Sequence, residues 1–162
     1  GLARVFGALA GHNESPFIYA MKGGSSGGDG YLNLAATIGT VVTGSIRIGQ
    51  DGDFVASRLV SISVTTTTGV IMPPQLTTGP SLSVLLRNNG SDRQLMNVET
   101  HLETIAGTGS RSTPFTKNWL IRRNGDVNVR VTNLQAVATQ VWIALVGYVI
   151  LDKAALDLTG KR

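Results

Sequence analysis

Alternation of apolar and polar residues dominates most of the chain. Val127–Val131 alternates valine with asparagine and arginine, and the even positions of 54–64 are apolar apart from Arg58. Because strands that bury one face show a period of two, both segments are predicted strands with these apolar positions turned inward. Further strand patterns cover 41–48 and 82–86, with turns rich in glycine, asparagine and aspartate after them. The pattern predicts an all-β chain, in the form of an antiparallel β-sandwich or jelly roll.

The clearest turn signal is the dipeptide Asn124-Gly125. It lies between two predicted strands, Trp119–Arg123 and Val127–Thr132. Asparagine followed by glycine supplies the two positive φ angles that a type I′ turn requires. We therefore expect the flanking segments to pair with each other as a β-hairpin.

The last predicted strand, Val141–Leu151, is apolar on both faces. Valine, isoleucine and leucine occupy one face, and Trp142, Val146, Tyr148 and Ile150 lie on the other. A strand of this kind belongs in the centre of a sheet and is covered on both sides, either by its own chain or by a neighbouring subunit. Because this apolar area is more than a single sandwich of this size can cover, we expect a homo-oligomer.

The first 40 residues lack this regularity and are not expected to join the core. Lys22–Gly30 is rich in glycine and serine, as flexible segments are, and a short helix is predicted over Leu32–Ile38. We therefore predict an extended Gly-rich N-terminal arm over 1–40, a β-sandwich domain over 41–151 and a short C-terminal tail over 152–162.

Composition narrows the class of protein. The chain has 162 residues, enough for one domain with its own core, and 42% of them are hydrophobic while 15% are charged. The cysteine count is 0, which excludes disulfides, thiolate metal sites and cysteine nucleophiles. No apolar run reaches the roughly 20 residues of a membrane helix, so no membrane partner is expected.

Positive charge is concentrated near the C-terminus. The formal net charge is +4, and residues 111–162 hold eight Lys or Arg against three Asp or Glu. This excess suits either an acidic partner or a solvated basic face, and it is less dense than the clusters of nucleic-acid-binding proteins. In the most basic stretch, 117–123, Trp119 alternates with its neighbours as a packed side chain does. Nucleic acid is therefore not an expected partner.

One cluster of polar residues could hold a metal ion. Glu99, His101 and Glu103 would share a face if the segment were a strand, and two carboxylates with an imidazole can bind a divalent metal. The alternative, which we favour, is the solvated side of a strand with Leu102 turned inward. No nucleophile elbow and no dinucleotide-binding fingerprint occurs. We therefore expect no catalytic residue, no cofactor and no metal.

Four motifs follow one another in the C-terminal half. They are Arg93–Asn97, the Gly-Thr-Gly segment at 107–109, Thr132–Leu134 and Gly147-Tyr148. In this order they resemble motifs of small tailed-bacteriophage virion structural proteins, and the resemblance covers about residues 82–151. It implies a β-rich structural component of the phage head or its connector, located in the virion, and not an enzyme.

The leading hypothesis is a capsid decoration (cement) protein, which binds the major capsid protein or another virion protein at capsid subunit junctions. The predicted interface residues are Arg93, Asn97, Trp119, Arg122 and Arg123. In the alternative interpretation, Trp119 is a core residue and the arginines are solvated. Two other functions stay open: a head–tail collar, tail or fibre-attachment protein, and a carbohydrate- or receptor-binding β-sandwich module.

Overall fold

The computed structural model of the chain describes residues 12–22, 30–67, 70–72, 82–91, 93–106 and 113–152. Within these ranges almost every element is a strand, which confirms the all-β prediction. The elements are β1 (His12–Ala20), β2 (Leu32–Leu34), β3 (Val41–Arg47), β4 (Gly52–Thr67), β5 (Val70–Met72), β6 (Leu82–Asn88), β7 (Arg93–Gln94), β8 (Thr100–His101), the short helix α1 (Leu102–Ala106), β9 (Pro114–Ile121), β10 (Asp126–Asn133) and β11 (Thr139–Asp152).

The described strands form two antiparallel sheets. The six-stranded sheet has the order β1-β11-β4-β5, with β2 also beside β11 and β9 also beside β4. The five-stranded sheet has the order β3-β10-β6-β7, with β8 also beside β6. Buried residues of both sheets belong to a single hydrophobic cluster, so the two sheets share one core.

The inner face of the five-stranded sheet follows the sequence prediction closely. Val127, Val129 and Val131 of β10 are all fully buried, while Asn128 and Arg130 between them are exposed. A slip of one residue would place all three valines in water, so burial fixes the register of β10 between β3 and β6.

Part of the predicted N-terminal arm belongs to the six-stranded sheet. β1 pairs with β11 along its whole length, and β2 pairs with the start of β11. Met21, Leu32 and Leu34 are buried in the core, so the expectation that this region lies outside the core is wrong for them. The helix predicted over Leu32–Ile38 is also wrong, since its first three residues form β2. Residues 1–11, 23–29 and the tail 153–162 lie outside the described residues.

The hairpin predicted around Asn124-Gly125 does not form. β9 pairs with β4 in one sheet, whereas β10 pairs with β3 and β6 in the other. The dipeptide instead turns the chain from one sheet to the other, with the Gly125 N–H donating to the Arg122 carbonyl at 3.0 Å. Asn124 takes the positive φ of 57° that asparagine tolerates.

β11 lies between β1 and β4, which confirms its predicted central position. Its inner residues Val141, Ile143 and Leu145 are fully buried in the core. On the opposite, outer face Trp142 and Tyr148 are only partly buried. The second apolar face of this strand is thus incompletely covered by the residues that the structure describes.

Candidate docking surface

The outer face of the six-stranded sheet carries large apolar side chains in contact with solvent. Ile18 of β1 is 58% exposed, Ile62 of β4 is 48% exposed and Leu120 of β9 is 49% exposed. Strand pairing places partly buried residues of β11 and β4 on the same face, because cross-strand partners share a face. These partly buried residues are Val60, Trp142, Val146, Tyr148 and Ile150. We call this set, with the three exposed residues, the docking face.

A β-bulge in β4 creates much of this face. The pairing of β4 with β11 shifts by one residue at Val146/Gly147, and its pairing with β9 shifts between Ala56 and Arg58. Before the bulge Phe54 and Ala56 point into the core, as predicted; after it Leu59 does. The predicted inward orientation of Val60, Ile62 and Val64 is therefore wrong: a bulge inserts one extra residue and so reverses the alternation.

Two residues allow the chain to accommodate the bulge. The Ser57 hydroxyl donates a hydrogen bond to the Val146 carbonyl at 3.0 Å, which satisfies an acceptor beside the irregular ladder. Gly147 lies where the Val55 carbonyl approaches, and a Cβ at this position would collide with that backbone oxygen. A glycine inside a strand often marks such a close approach.

A depression of about 470 Å³ opens beside the bulge on the docking face. Val146 and Tyr148 are among its apolar lining residues, while Glu14 and Arg58 contribute opposite charges. Both charged residues line the depression itself, and Arg58 is the cross-strand partner of Val146 on this face. Apolar and aromatic side chains together with arginine are typical of protein interfaces. This geometry suits a partner that inserts a side chain into the depression.

The outer face of the five-stranded sheet is polar by contrast. The Glu99 carboxylate lies 3.1 Å from Arg130 Nε and accepts hydrogen bonds from the hydroxyls of Ser83 and Thr132. Glu99 thus joins neighbouring strands as part of a hydrogen-bonded surface. The predicted face of Glu99, His101 and Glu103 is not continuous, because α1 begins immediately after β8 and Glu103 lies on the helix.

The five predicted interface residues are not brought together. Trp119 is 9% exposed and packs in the core from β9. Arg122 pairs with Asp53 through Nη1 at 3.1 Å, and the backbone N–H of Arg123 donates to the same carboxylate at 3.0 Å. Asn97 is exposed on the segment between β7 and β8, at the five-stranded sheet.

Arg93, the fifth predicted interface residue, begins β7, and its side chain lies outside the described residues. An interface role for Arg93, Asn97, Arg122 and Arg123 stays a prediction. The docking face was indicated in the sequence only by the two-sided apolar pattern of β11. The residues that complete it on β1 and β4 were missed, since β1 was assigned to an arm and the bulge has no clear sequence signal.

Within the described ranges, no cluster of three or more His, Asp or Glu side chains could hold a metal ion. None of the helices described there is long and apolar enough to cross a membrane. Comparison of the chain with protein-family models, curated proteins and solved structures gives no match.

Proposed function

We propose that this protein is a structural component of a bacteriophage virion, a decoration (cement) protein that binds at capsid subunit junctions as a homo-oligomer. The observation that carries the proposal is the exposed apolar docking face. Exposed apolar side chains gathered on one face of a sheet mark interaction sites in soluble proteins. On the docking face they lie around Arg58, which pairs with Val146. The motifs at Arg93–Asn97, Thr132–Leu134 and Gly147-Tyr148 supply the phage assignment through their resemblance to virion structural proteins.

Coverage of the docking face would supply useful binding energy. Fully burying an isoleucine or leucine side chain contributes about 1.5–3 kcal/mol, so covering the exposed half of one contributes about 1 kcal/mol. Ile18, Ile62 and Leu120 together would contribute about 3 kcal/mol before the partly buried neighbours are counted. Repeated over the subunits of an oligomer, this contribution suits a protein that holds a shell together.

We infer further that the two sheets form a jelly roll. Eight strands result if β1 with β2 counts as the first strand, β7 with β8 counts as the fifth, and β5, a short strand antiparallel to the end of β4, is left out of the count. Their order is 1-8-3-6 in one sheet and 2-7-4-5 in the other. Two interlocked Greek keys generate this order, and jelly rolls are common among viral capsid proteins.

The partner on the particle is the major capsid protein or another virion protein. A location at the head–tail collar, the tail or a fibre attachment is the alternative within the same class. Ring-shaped oligomers in electron micrographs of the purified protein would favour the collar, whereas small oligomers attached to capsid faces would favour decoration.

The test uses virions of the phage that encodes the chain. A gene deletion is complemented with the wild-type protein or with the Ile18→Glu, Ile62→Glu or Leu120→Glu variant. Bound protein is measured by mass spectrometry of purified particles, and particle stability by heating. Val41→Glu is the matched control, because Val41 is 42% exposed but lies on β3 of the other sheet.

We expect wild-type protein and Val41→Glu on the particles, with normal heat resistance. Each docking-face variant should lose at least about tenfold in occupancy, because a carboxylate cannot be buried against apolar surface without a large cost. Unfolding curves of the isolated variants check that they fold. The proposal would be refuted if the complementing wild-type protein were absent from the purified particles, or if all three variants bound at full occupancy.

A further inference from the structure

A groove crosses the outer face of the five-stranded sheet, away from the docking face. Its volume is about 530 Å³, and its lining runs from Lys22 over β3 and β10 to β6 and β7. Three of the lining side chains are cations: Lys22, Arg87 and Arg130. None of the lining residues that the structure describes is acidic, and the Glu99 carboxylate pairs with Arg130 from outside the lining. Three cations against this one carboxylate leave the groove with an excess of positive charge.

Backbone contacts hold Lys22 at one end of the groove. The Met21 N–H donates to the Ile143 carbonyl at 3.0 Å, and the Lys22 N–H donates to the Ser45 carbonyl at 3.2 Å. The Met21 side chain is buried over Gly44, where a Cβ would lie 2.7 Å from the Met21 sulfur. The missing side chain of Gly44 therefore gives Met21 the room to anchor this segment.

The two arginines lie on neighbouring strands in the middle of the groove. Arg87 pairs with Asn128 and Leu85 pairs with Arg130, so the arginines are diagonal neighbours. Diagonal neighbours in a sheet are separated by about 7–8 Å. Glu99 orients Arg130 through Nε, and a guanidinium has further N–H donors for a ligand. Two separated guanidinium groups suit a ligand with more than one oxyanion.

The other lining groups restrict the chemical class of the ligand. Thr43, Ser45, Asn128 and Gln94 place hydroxyls and amides among the cations. No aromatic side chain lies in the described lining, so a nucleobase would have no stacking surface. β10, at the centre, is paired on both sides, and a peptide therefore cannot bind there as an added strand.

We propose that this groove binds an acidic glycan, a sugar chain that carries carboxylate or sulfate groups. Arginine pairs with such oxyanions through charge-assisted hydrogen bonds, and the hydroxyls and amides bind the sugar hydroxyls. The site would face away from the surface to which the docking face binds. It does not depend on the virion assignment.

The experiment measures binding of the full chain by calorimetry to oligogalacturonate, to a dextran sulfate oligosaccharide and to neutral dextran of the same length. Polyglutamate and an oligothymidylate serve as polyanions that are not glycans. The two acidic probes separate carboxylate from sulfate recognition. Arg87→Gln and Lys22→Gln are compared with Arg122→Gln and Lys117→Gln. The control residues carry the same charges and are exposed, and neither lines the groove.

We expect at least one acidic probe to bind, neutral dextran to bind at least tenfold more weakly, and each groove variant to lose about tenfold in affinity. The control variants should stay within about twofold of wild type. Equal losses in groove and control variants would overturn the site, because attraction would then depend on net charge alone. Tighter binding of polyglutamate or of an oligothymidylate would overturn the glycan assignment.

Discussion

We expect substitution of Asn133 to lower the free energy of unfolding more than substitution of most other polar residues. It is fully buried at the end of β10. Its side-chain amide donates to the carbonyls of Ala35 and Val137 at 2.9 and 2.8 Å, and its oxygen accepts from the Gln135 N–H at 3.1 Å. The hydrogen bonds of this one side chain thus connect the β10–β11 loop to the segment that follows β2.

Replacement by leucine, Asn133→Leu, keeps a similar volume but removes all three hydrogen bonds. The Val137 carbonyl keeps the Thr139 hydroxyl as a donor, and the Ala35 carbonyl keeps the Thr37 N–H at 2.8 Å. The Gln135 N–H is therefore the group left without its partner. Each unsatisfied buried group costs about 1–3 kcal/mol. With one such group left, we expect a total loss of about 1–3 kcal/mol.

Urea-induced unfolding, followed by tryptophan fluorescence at fixed protein concentration, measures this loss. The midpoint should fall by about 0.5–1.5 M. Asn128→Leu is the control, since Asn128 is exposed and its amide donates to Asn89 alone among the hydrogen bonds described for it. A loss below about 1 kcal/mol for Asn133→Leu, or one equal to the control, would refute the reasoning.

Two further predictions concern the bulge. Gly147→Ala should destabilise the protein by at least about 2 kcal/mol, because the new methyl group would collide with the Val55 carbonyl. A melting temperature close to that of wild type would contradict this close approach. Ser57→Ala should cost about 1 kcal/mol through loss of the hydrogen bond to the Val146 carbonyl. An unchanged urea midpoint would show that water replaces this hydroxyl without cost.

The strands with regular alternation were predictable because their environment repeats along the chain. Val127, Val129 and Val131 each face the same core, so the two-residue period of a strand is sufficient to predict their orientation. The two apolar faces of β11 likewise predicted its central position. In both cases neighbouring residues alone carry the signal.

The Asn124-Gly125 prediction failed because turn propensity is a weak and local preference. Pairing of β9 with β4, and of β10 with β3 and β6, buries residues such as Ile121 and Val129 on both sheets. Burial of several such side chains outweighs the small preference of one dipeptide for a hairpin. The dipeptide keeps its turn but connects different sheets.

The candidate docking face could be predicted only in part. Its β11 residues were visible as a second apolar face, whereas Ile62 was assigned to the core because no local pattern indicates where a bulge will lie. The groove was not predictable at all. Lys22 and Arg130 are far apart in the chain, and only the crossing of Met21 over Gly44 brings Lys22 to the sheet that holds Arg130.

The sequence by itself determined the all-β class, the inward face of β10 and the two-sided character of the last strand. These properties depend on residues a few positions apart. Only the tertiary structure decided which strands pair, where β4 reverses its faces and which cations share a groove. The reason is physical: strand partners and bulges are selected by contacts between segments far apart in the chain, and those contacts leave little trace in local periodicity.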